Sequence, residues 1–341
     1  MSWRRLLFPL SAVFFAIIVI RKMAYRLGLF TSVHLGPRTI SVGNIEVGGT
    51  GKSPFASGLA AALVAAGHRP VILGRGYGSA LGRNSAAWFI GSGLLEVRGP
   101  SGFALEEVTG LRADEARMVS ADNPTVPVII GRDRVRAYRV FSDFLARYAP
   151  THVILDDGFQ HWRIKRDVDI VLLSEGFLGD ALLPAGNLRE PVRALRRADA
   201  VVRLCGRDFV QPVHSMVLPD GIHERQGRIV YGAIQPVIFA SSNAGRGQKL
   251  PLHPIVLCGI ARPGSFLKAL AAAGVSPLRV ITVKDHGRFH ADHFSPNSIR
   301  GADAIVTTSK DYWRDPEIMA ASGVPVWILP MKVEFSYPDF F

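Results

Sequence analysis

Lys52 and Ser53 close a glycine-rich stretch, 43-GNIEVGGTGKSP-54, whose residue types are suited to handling phosphate. Glycines let backbone N–H groups turn toward anionic oxygens, and a helix N-terminus behind them adds partial positive charge. A lysine at this place reaches β- and γ-phosphates, and a hydroxyl after it offers an oxygen to Mg²⁺. Gly48, Gly49, Thr50, Gly51, Lys52 and Ser53 are therefore the candidate nucleotide-binding residues. The general pattern G-x-x-x-x-G-K-[ST] asks for a further glycine at position 46, where this chain has Glu46. Context supports the loop nonetheless. A β-rich run, 38-RTISVG-43, precedes it, and 54-PFASGLAAALVAAGH-68 follows, with Pro54 in the first turn of a predicted helix and Gly67 near its end. A bare glycine turn would not account for a lysine and a serine at those two positions.

Phosphoryl chemistry on a nucleotide also needs a carboxylate near the metal. The run 152-HVILDDGFQH-161 predicts a buried strand ending in Asp156 and Asp157, which with Ser53 form the candidate metal set. The bland alternative is a pair of turn acids after a strand. Strand C-terminal ends line the ligand crevice of an open α/β sheet, so Gln160 and His161 are candidate substrate contacts there. Arg75 follows another apolar run, 70-PVIL-73, and joins them as a cation for phosphate or an anionic substrate group, or else as a solvated turn arginine. His286, His290 and His293 with Asp285 and Asp292 suggest a metal cluster, but Gly287 and the lack of apolar periodicity predict a loop instead. Asp114 and Glu115, read alone, are acids favouring a helix N-terminus. Lys310-Asp311 lacks the N-K-x-D spacing of guanine recognition, which disfavours a GTPase.

The elements that must position these groups alternate. Apolar β-type runs at 38–43, 70–74, 126–130, 152–156, 168–173 and 199–204 are separated by helical stretches near 54–66, 111–121 and 132–148. This predicts an α/β fold, a phosphate-loop NTPase-like parallel sheet with helices on both faces. A second, smaller α/β domain follows, with a strand, turn and helix over 255–275 and a further strand near 278–283, while a final strand near 324–329 fits either domain. The expected organisation is an N-terminal membrane anchor over 1–30, a kinase-type domain over 31–209, the smaller domain over 210–330 and a tail over 331–341.

The motifs resemble those of the lipid A 4′-kinase (tetraacyldisaccharide 4′-kinase) family, whose phosphate loop reads GNxxxGGxGK[TS]P and lacks the distal glycine. The further matches run in family order: GRGYG at 74–78, ADEA at 113–116, DDGFQH at 156–161, LLPAGNLREP at 182–191, GIARP at 259–263, DH at 285–286 and TSKD at 308–311. The resemblance covers nearly the whole chain. It implies transfer of the γ-phosphoryl of ATP, with Mg²⁺, to the 4′-hydroxyl of a tetraacylated glucosamine disaccharide 1-phosphate at the cytoplasmic face of a bacterial inner membrane. It also implies Asp114 as the catalytic aspartate, in a segment that the family writes GDEP and this chain writes with Ala113 and Ala116. His286 would pair with that aspartate, although Gly287 stands where the family often has a second histidine.

Charge points the same way. The chain of 341 residues has a formal net charge of +12, and half of that excess lies in residues 1–38, which hold six Arg or Lys and no acid. These cations flank an uncharged run, 6-LLFPLSAVFFAIIVI-20, only about 22 Å long as a helix and interrupted by Pro9. An anionic membrane surface is the expected partner, with the acylated disaccharide as substrate, and no nucleic acid or obligate protein partner is called for. Cys205 and Cys258 each follow an apolar run and read as buried strand residues. The competing function is a membrane-associated phosphate-loop ATPase or GTPase switch that phosphorylates no lipid. A non-catalytic lipid binder is disfavoured by intact Lys52, Ser53, Asp156 and Asp157.

Overall fold

The computed structural model describes residues 3–77, 79, 81–82, 84–91, 93–99, 102–103, 113–174, 179–205, 224–231, 235–236, 250–260, 263–284, 287, 289–295 and 297–334. In chain order these form α1 (Phe8–Arg26), β1 (Arg38–Gly43), α2 (Lys52–Ala65), β2 (Pro70–Gly74), β3 (Ala86–Ile90), β4 (Gly93–Gly99), β5 (Gly102–Phe103), α3 (Asp114–Asp122), β6 (Val128–Gly131), α4 (Arg134–Val140), α5 (Ser142–Tyr148), β7 (His152–Asp156), β8 (Val168–Leu173), β9 (Ala200–Cys205) and β10 (Glu224–Tyr231). There follow β11 (Gln235–Pro236), β12 (Ile255–Cys258), α6 (Pro263–Ala272), β13 (Arg279–Thr282), β14 (Ile305–Thr308), α7 (Ser309–Arg314), α8 (Pro316–Ala320), β15 (Val326–Leu329) and β16 (Met331–Glu334).

The larger sheet has the order β16-β10-β9-β8-β1-β7-β2-β6-β3-β4-β5. Its centre is parallel, and β1, β2, β6, β7 and β8 are buried along nearly their whole length, which is why they read as continuous apolar runs. Val71, Leu73, Val153 and Leu155 pack with Val135 of α4, Leu145 of α5 and Phe141 between the two helices. The sequence predicts one helix over 132–148; two are found, because Phe141 leaves helical geometry (φ −102°, ψ 24°) and is fully buried. The sheet is also not wholly parallel. Antiparallel β3, β4 and β5 extend one edge, a region that the sequence pattern did not mark as strands.

A second sheet has the order β11-β15-β14-β12-β13, parallel except for β11. The strand near 324–329 thus lies in the smaller sheet as β15, while β16 joins the larger one. The chain divides into two compact units, Met1–Leu111, Val119–Arg228 and Val333–Phe341 in one, and Arg112–Met118 and Ile229–Lys332 in the other. Asp114 belongs to the second unit, since the division passes within α3. Both cysteines end strands, and Cys258 is a buried free thiol that burial pushes up to about 11.

Candidate functional site

The phosphate loop sits where β1 gives way to α2. Gly51 is the residue before the helix and takes φ 79°, a left-handed conformation that a side chain would resist. Asn44 Nδ2 donates to Thr50 Oγ1 across the loop at 3.0 Å, and Gln160 Nε2 donates to the Asn44 carbonyl at 2.7 Å. The anomaly at position 46 has a structural reason. Glu46 is buried and accepts from both the Ser174 N–H (2.8 Å) and the Ser174 hydroxyl (2.6 Å), so it ties the front of the loop to the end of β8.

Parallel pairing of β1 with β7 sets Val42 opposite Asp156, so the loop and the Asp156-Asp157 pair emerge side by side. Ser53 Oγ donates to Asp156 Oδ2 at 2.8 Å. A hydroxyl and a carboxylate meeting there are hard oxygen donors, the chemistry that suits Mg²⁺. Asp157 differs. Its backbone is left-handed (φ 55°), an uncommon state for a non-glycine residue that tends to occur at functional sites. Lys52 Nζ lies 3.6 Å from Asp157 Oδ1 and 3.4 Å from the Gly48 carbonyl. Arg189 Nη1 contacts both Asp157 carboxylate oxygens, at 3.0 and 3.1 Å, and Arg134 Nη1 donates to the Asp157 carbonyl at 3.0 Å. Burial alone would raise the Asp157 carboxyl, but Lys52, Arg189 and Arg134 bring it below the ordinary carboxylate range.

The sequence marks Arg189 only as part of the LREP segment, without a role, and does not single out Arg134. Arg189 lies in the LREP segment, which runs against the loop: Arg189 N–H donates to the Ile45 carbonyl at 2.7 Å and Val47 N–H to the Asn187 carbonyl at 2.8 Å. Glu190 grips Arg197 through two bonds of 2.6 Å, and Arg197 lies 3.6 Å over the Phe159 ring. Arg75 is exposed just beyond β2, close enough for its charge to bear on Arg134.

His161 is held neutral. Burial first, then the charges of Arg134, Arg166 and Arg21, lower its pKa to about 3. Its Nε2 is buried without a hydrogen-bond partner among the described residues. Because the unfolded imidazole titrates near 6.5, the unfolded chain binds the extra proton between that value and 3, and stability falls as pH drops below 6.5. The slope approaches about 1.4 kcal/mol per pH unit. His161→Gln should flatten this loss between pH 6.5 and 5, as followed by thermal melts. An unchanged slope would remove His161 as its source.

In the other unit, Asp114 opens α3 and is 8% exposed. Its Oδ2 lies 3.4 Å from Arg314 Nε, and Glu115 lies 3.3 Å from Lys310. His286 and Asp285 lie outside the described residues. His290 N–H donates to His293 Nδ1 at 2.9 Å within a short 3-10 turn, a local capping arrangement.

The family model for "Tetraacyldisaccharide-1-P 4'-kinase" matches residues 3–341. A tetraacyldisaccharide 4'-kinase of Chromobacterium violaceum is 33% identical over 340 residues, covering 98% of this chain and 91% of that protein. One of Syntrophus aciditrophicus is 35% identical, covering 90% and 83%. A crystal structure of LpxK from Aquifex aeolicus in complex with ATP superposes with a TM-score of 0.70 at 29% identity, covering 97% of this chain and 94% of that one.

Proposed function

The chain belongs to the tetraacyldisaccharide-1-phosphate 4′-kinase family, and from that premise we propose how its residues transfer the γ-phosphoryl of ATP to the 4′-hydroxyl of a tetraacylated glucosamine disaccharide 1-phosphate. The observation that carries the reading is the junction of loop and strand end, Ser53 with Asp156 at 2.8 Å beside Lys52 with Asp157 at 3.6 Å. The transition state of phosphoryl transfer is loose, so charge placement and alignment dominate.

Backbone N–H groups of Gly48–Ser53 receive the phosphates, and Lys52 neutralises charge on the β and γ oxygens. Ser53 and Asp156 are the residues that would hold Mg²⁺, which would supply positive charge to offset that of the phosphates. Asp157, occupied by Lys52 and Arg189, instead fixes the lysine and the LREP segment. Asp114 accepts the proton of the attacking hydroxyl, and His286 is the proposed partner of that aspartate. Gln160 braces the loop through Asn44, while His161 and Arg75 stay candidates for contact with the acceptor.

Features of α1 support action at a membrane surface. It is long and apolar enough to cross a membrane, yet one face is engaged by the first unit. Ser11 Oγ donates to the Leu182 carbonyl at 2.9 Å, Phe15 lies under Arg193 at 4.9 Å, and Lys22 lies over Trp162 at 5.9 Å. At 100° per residue, exposed Leu10, Val13, Ile17 and Ile20 fall about half a turn away. A helix held along one side and greasy on the other suits lying in the interface of the inner membrane's cytoplasmic leaflet, with Arg4, Arg21 and Arg26 for anionic headgroups. Leu10→Asp with Ile17→Asp should weaken binding to phosphatidylglycerol-containing vesicles by about tenfold or more in a flotation assay. Undiminished flotation would count against this mode.

The reading is tested with purified protein, γ-labelled ATP and Mg²⁺, with and without the tetraacyldisaccharide 1-phosphate. Label transferred to the lipid is expected. Lipid-independent release of inorganic phosphate, with no labelled lipid, would replace the kinase with a nucleotide-hydrolysing switch.

A further inference from the structure

Four segments of the second unit converge on one guanidinium. Arg314, at the end of α7, lies 3.4 Å from Asp114 Oδ2 and 2.9 Å from Asp311 Oδ1. Its Nη1 also donates to the Gly287 carbonyl at 2.9 Å, and both terminal nitrogens reach the Gly259 carbonyl at 3.4 Å. The side chain is 7% exposed, and that of Asp311 is wholly buried. Asp311 is itself fixed, accepting from Gly259 N–H at 2.9 Å and Thr308 Oγ1 at 2.8 Å. The local backbone is shaped to admit this arrangement. A Cβ on Gly259 would stand 2.8 Å from Arg314 Nη1 and 3.0 Å from Asp311 Oδ1.

We propose that Arg314 is the positioning residue of the transfer step, holding the Asp114 carboxylate in place and tying it to the carbonyl of Gly287, next in sequence to His286. The inference rests on Asp114 being the catalytic base. It joins the GIARP and TSKD motifs in one purpose, since Gly259 makes room for the guanidinium and Asp311 anchors it from behind. A planar fork with five fixed donors suits this better than a lysine, because it addresses two carboxylates and two carbonyls from one rigid group. Glu115 with Lys310, at 3.3 Å, is a second tie between the start of α3 and α7.

A double-mutant cycle on the full chain, read in kcat with KM for Mg-ATP and thermal midpoint beside it, tests the idea. Arg314→Ala is expected to lower kcat by about 10–100-fold, as loss of a group orienting a site residue does, with KM for Mg-ATP nearly unchanged. In an Asp114→Asn background the same change is expected to cost less than about twofold, because the group it positions no longer accepts a proton. Equal losses in both backgrounds, or wild-type kcat in Arg314→Ala, would overturn the proposal and leave the kinase intact. Wild-type kcat in Asp114→Asn alone would instead remove the base assignment, and this proposal with it. Should Arg314→Ala fail to fold, Gly259→Ala, whose Cβ would press on Arg314 Nη1 as well as on Val283 and Asp311, enters the same cycle with the same expected non-additivity.

Discussion

Asp114→Asn is expected to lower kcat by about 10²–10⁴-fold with little change in KM for Mg-ATP. The substitution keeps the size of a side chain that is 8% exposed at the start of α3, and it removes the carboxylate proposed to accept the proton. A sugar hydroxyl ionises far above neutral pH, so the attacking oxygen needs its proton taken as the bond to phosphorus forms. The residues proposed to contact the nucleotide are other side chains, and this is why the loss should fall on kcat. A purely structural role would give another pattern, a lower thermal midpoint with kcat nearly intact. Single-turnover transfer of label at saturating Mg-ATP separates the two, and a wild-type rate there would retire Asp114 as the base.

Lys52→Ala should cost about 10²–10³-fold in kcat, the usual scale for removing one preorganised charge-stabilising group. Lys52 stands between the Gly48 carbonyl at 3.4 Å and Asp157 at 3.6 Å, so its ammonium is already held over the loop. Its loss would remove the proposed charge stabilisation at the transferring phosphoryl and takes one of the cations from Asp157, with Arg189 and Arg134 still attached. The fold should therefore persist while KM for Mg-ATP rises and turnover collapses. Equilibrium nucleotide binding beside lipid-labelling rates makes the comparison. Retention of wild-type labelling would mean that the glycine stretch is not the phosphate site.

The phosphate loop and the Asp156-Asp157 pair were legible because their signals are local, a strand, a glycine turn and a helix within a few residues. The parallel core strands were legible because they are buried along their length and so read as apolar runs. What escaped the sequence is long-range. Glu46 looked like a defect in a glycine pattern until Ser174 was found on it, 128 residues away in the chain. Arg189 sits 32 residues from Asp157, and Arg314 sits 200 from Asp114, with no periodicity to announce either pairing. The antiparallel edge was missed because β4 is largely half-buried and carries no clean alternation, although β3 is as long and nearly as buried as the core strands. His286 lies outside the described residues, so its pairing with Asp114 rests on the resemblance.

The hold on α1 has one further consequence. Ser11 bonds the Leu182 carbonyl, the Ala185 N–H bonds Ser11, and a few residues on, Asn187 and Arg189 touch the phosphate loop and Asp157. The helix is thus a bracket rather than a tether. An enzyme on a flexible leash must give up its tumbling freedom at each encounter with an embedded substrate. On the proposed interfacial seating of α1, a bracketed helix would surrender that rotational entropy once, as the chain folds and settles on the bilayer, and each later encounter would begin with the phosphate loop already at a fixed height and tilt above the lipid surface.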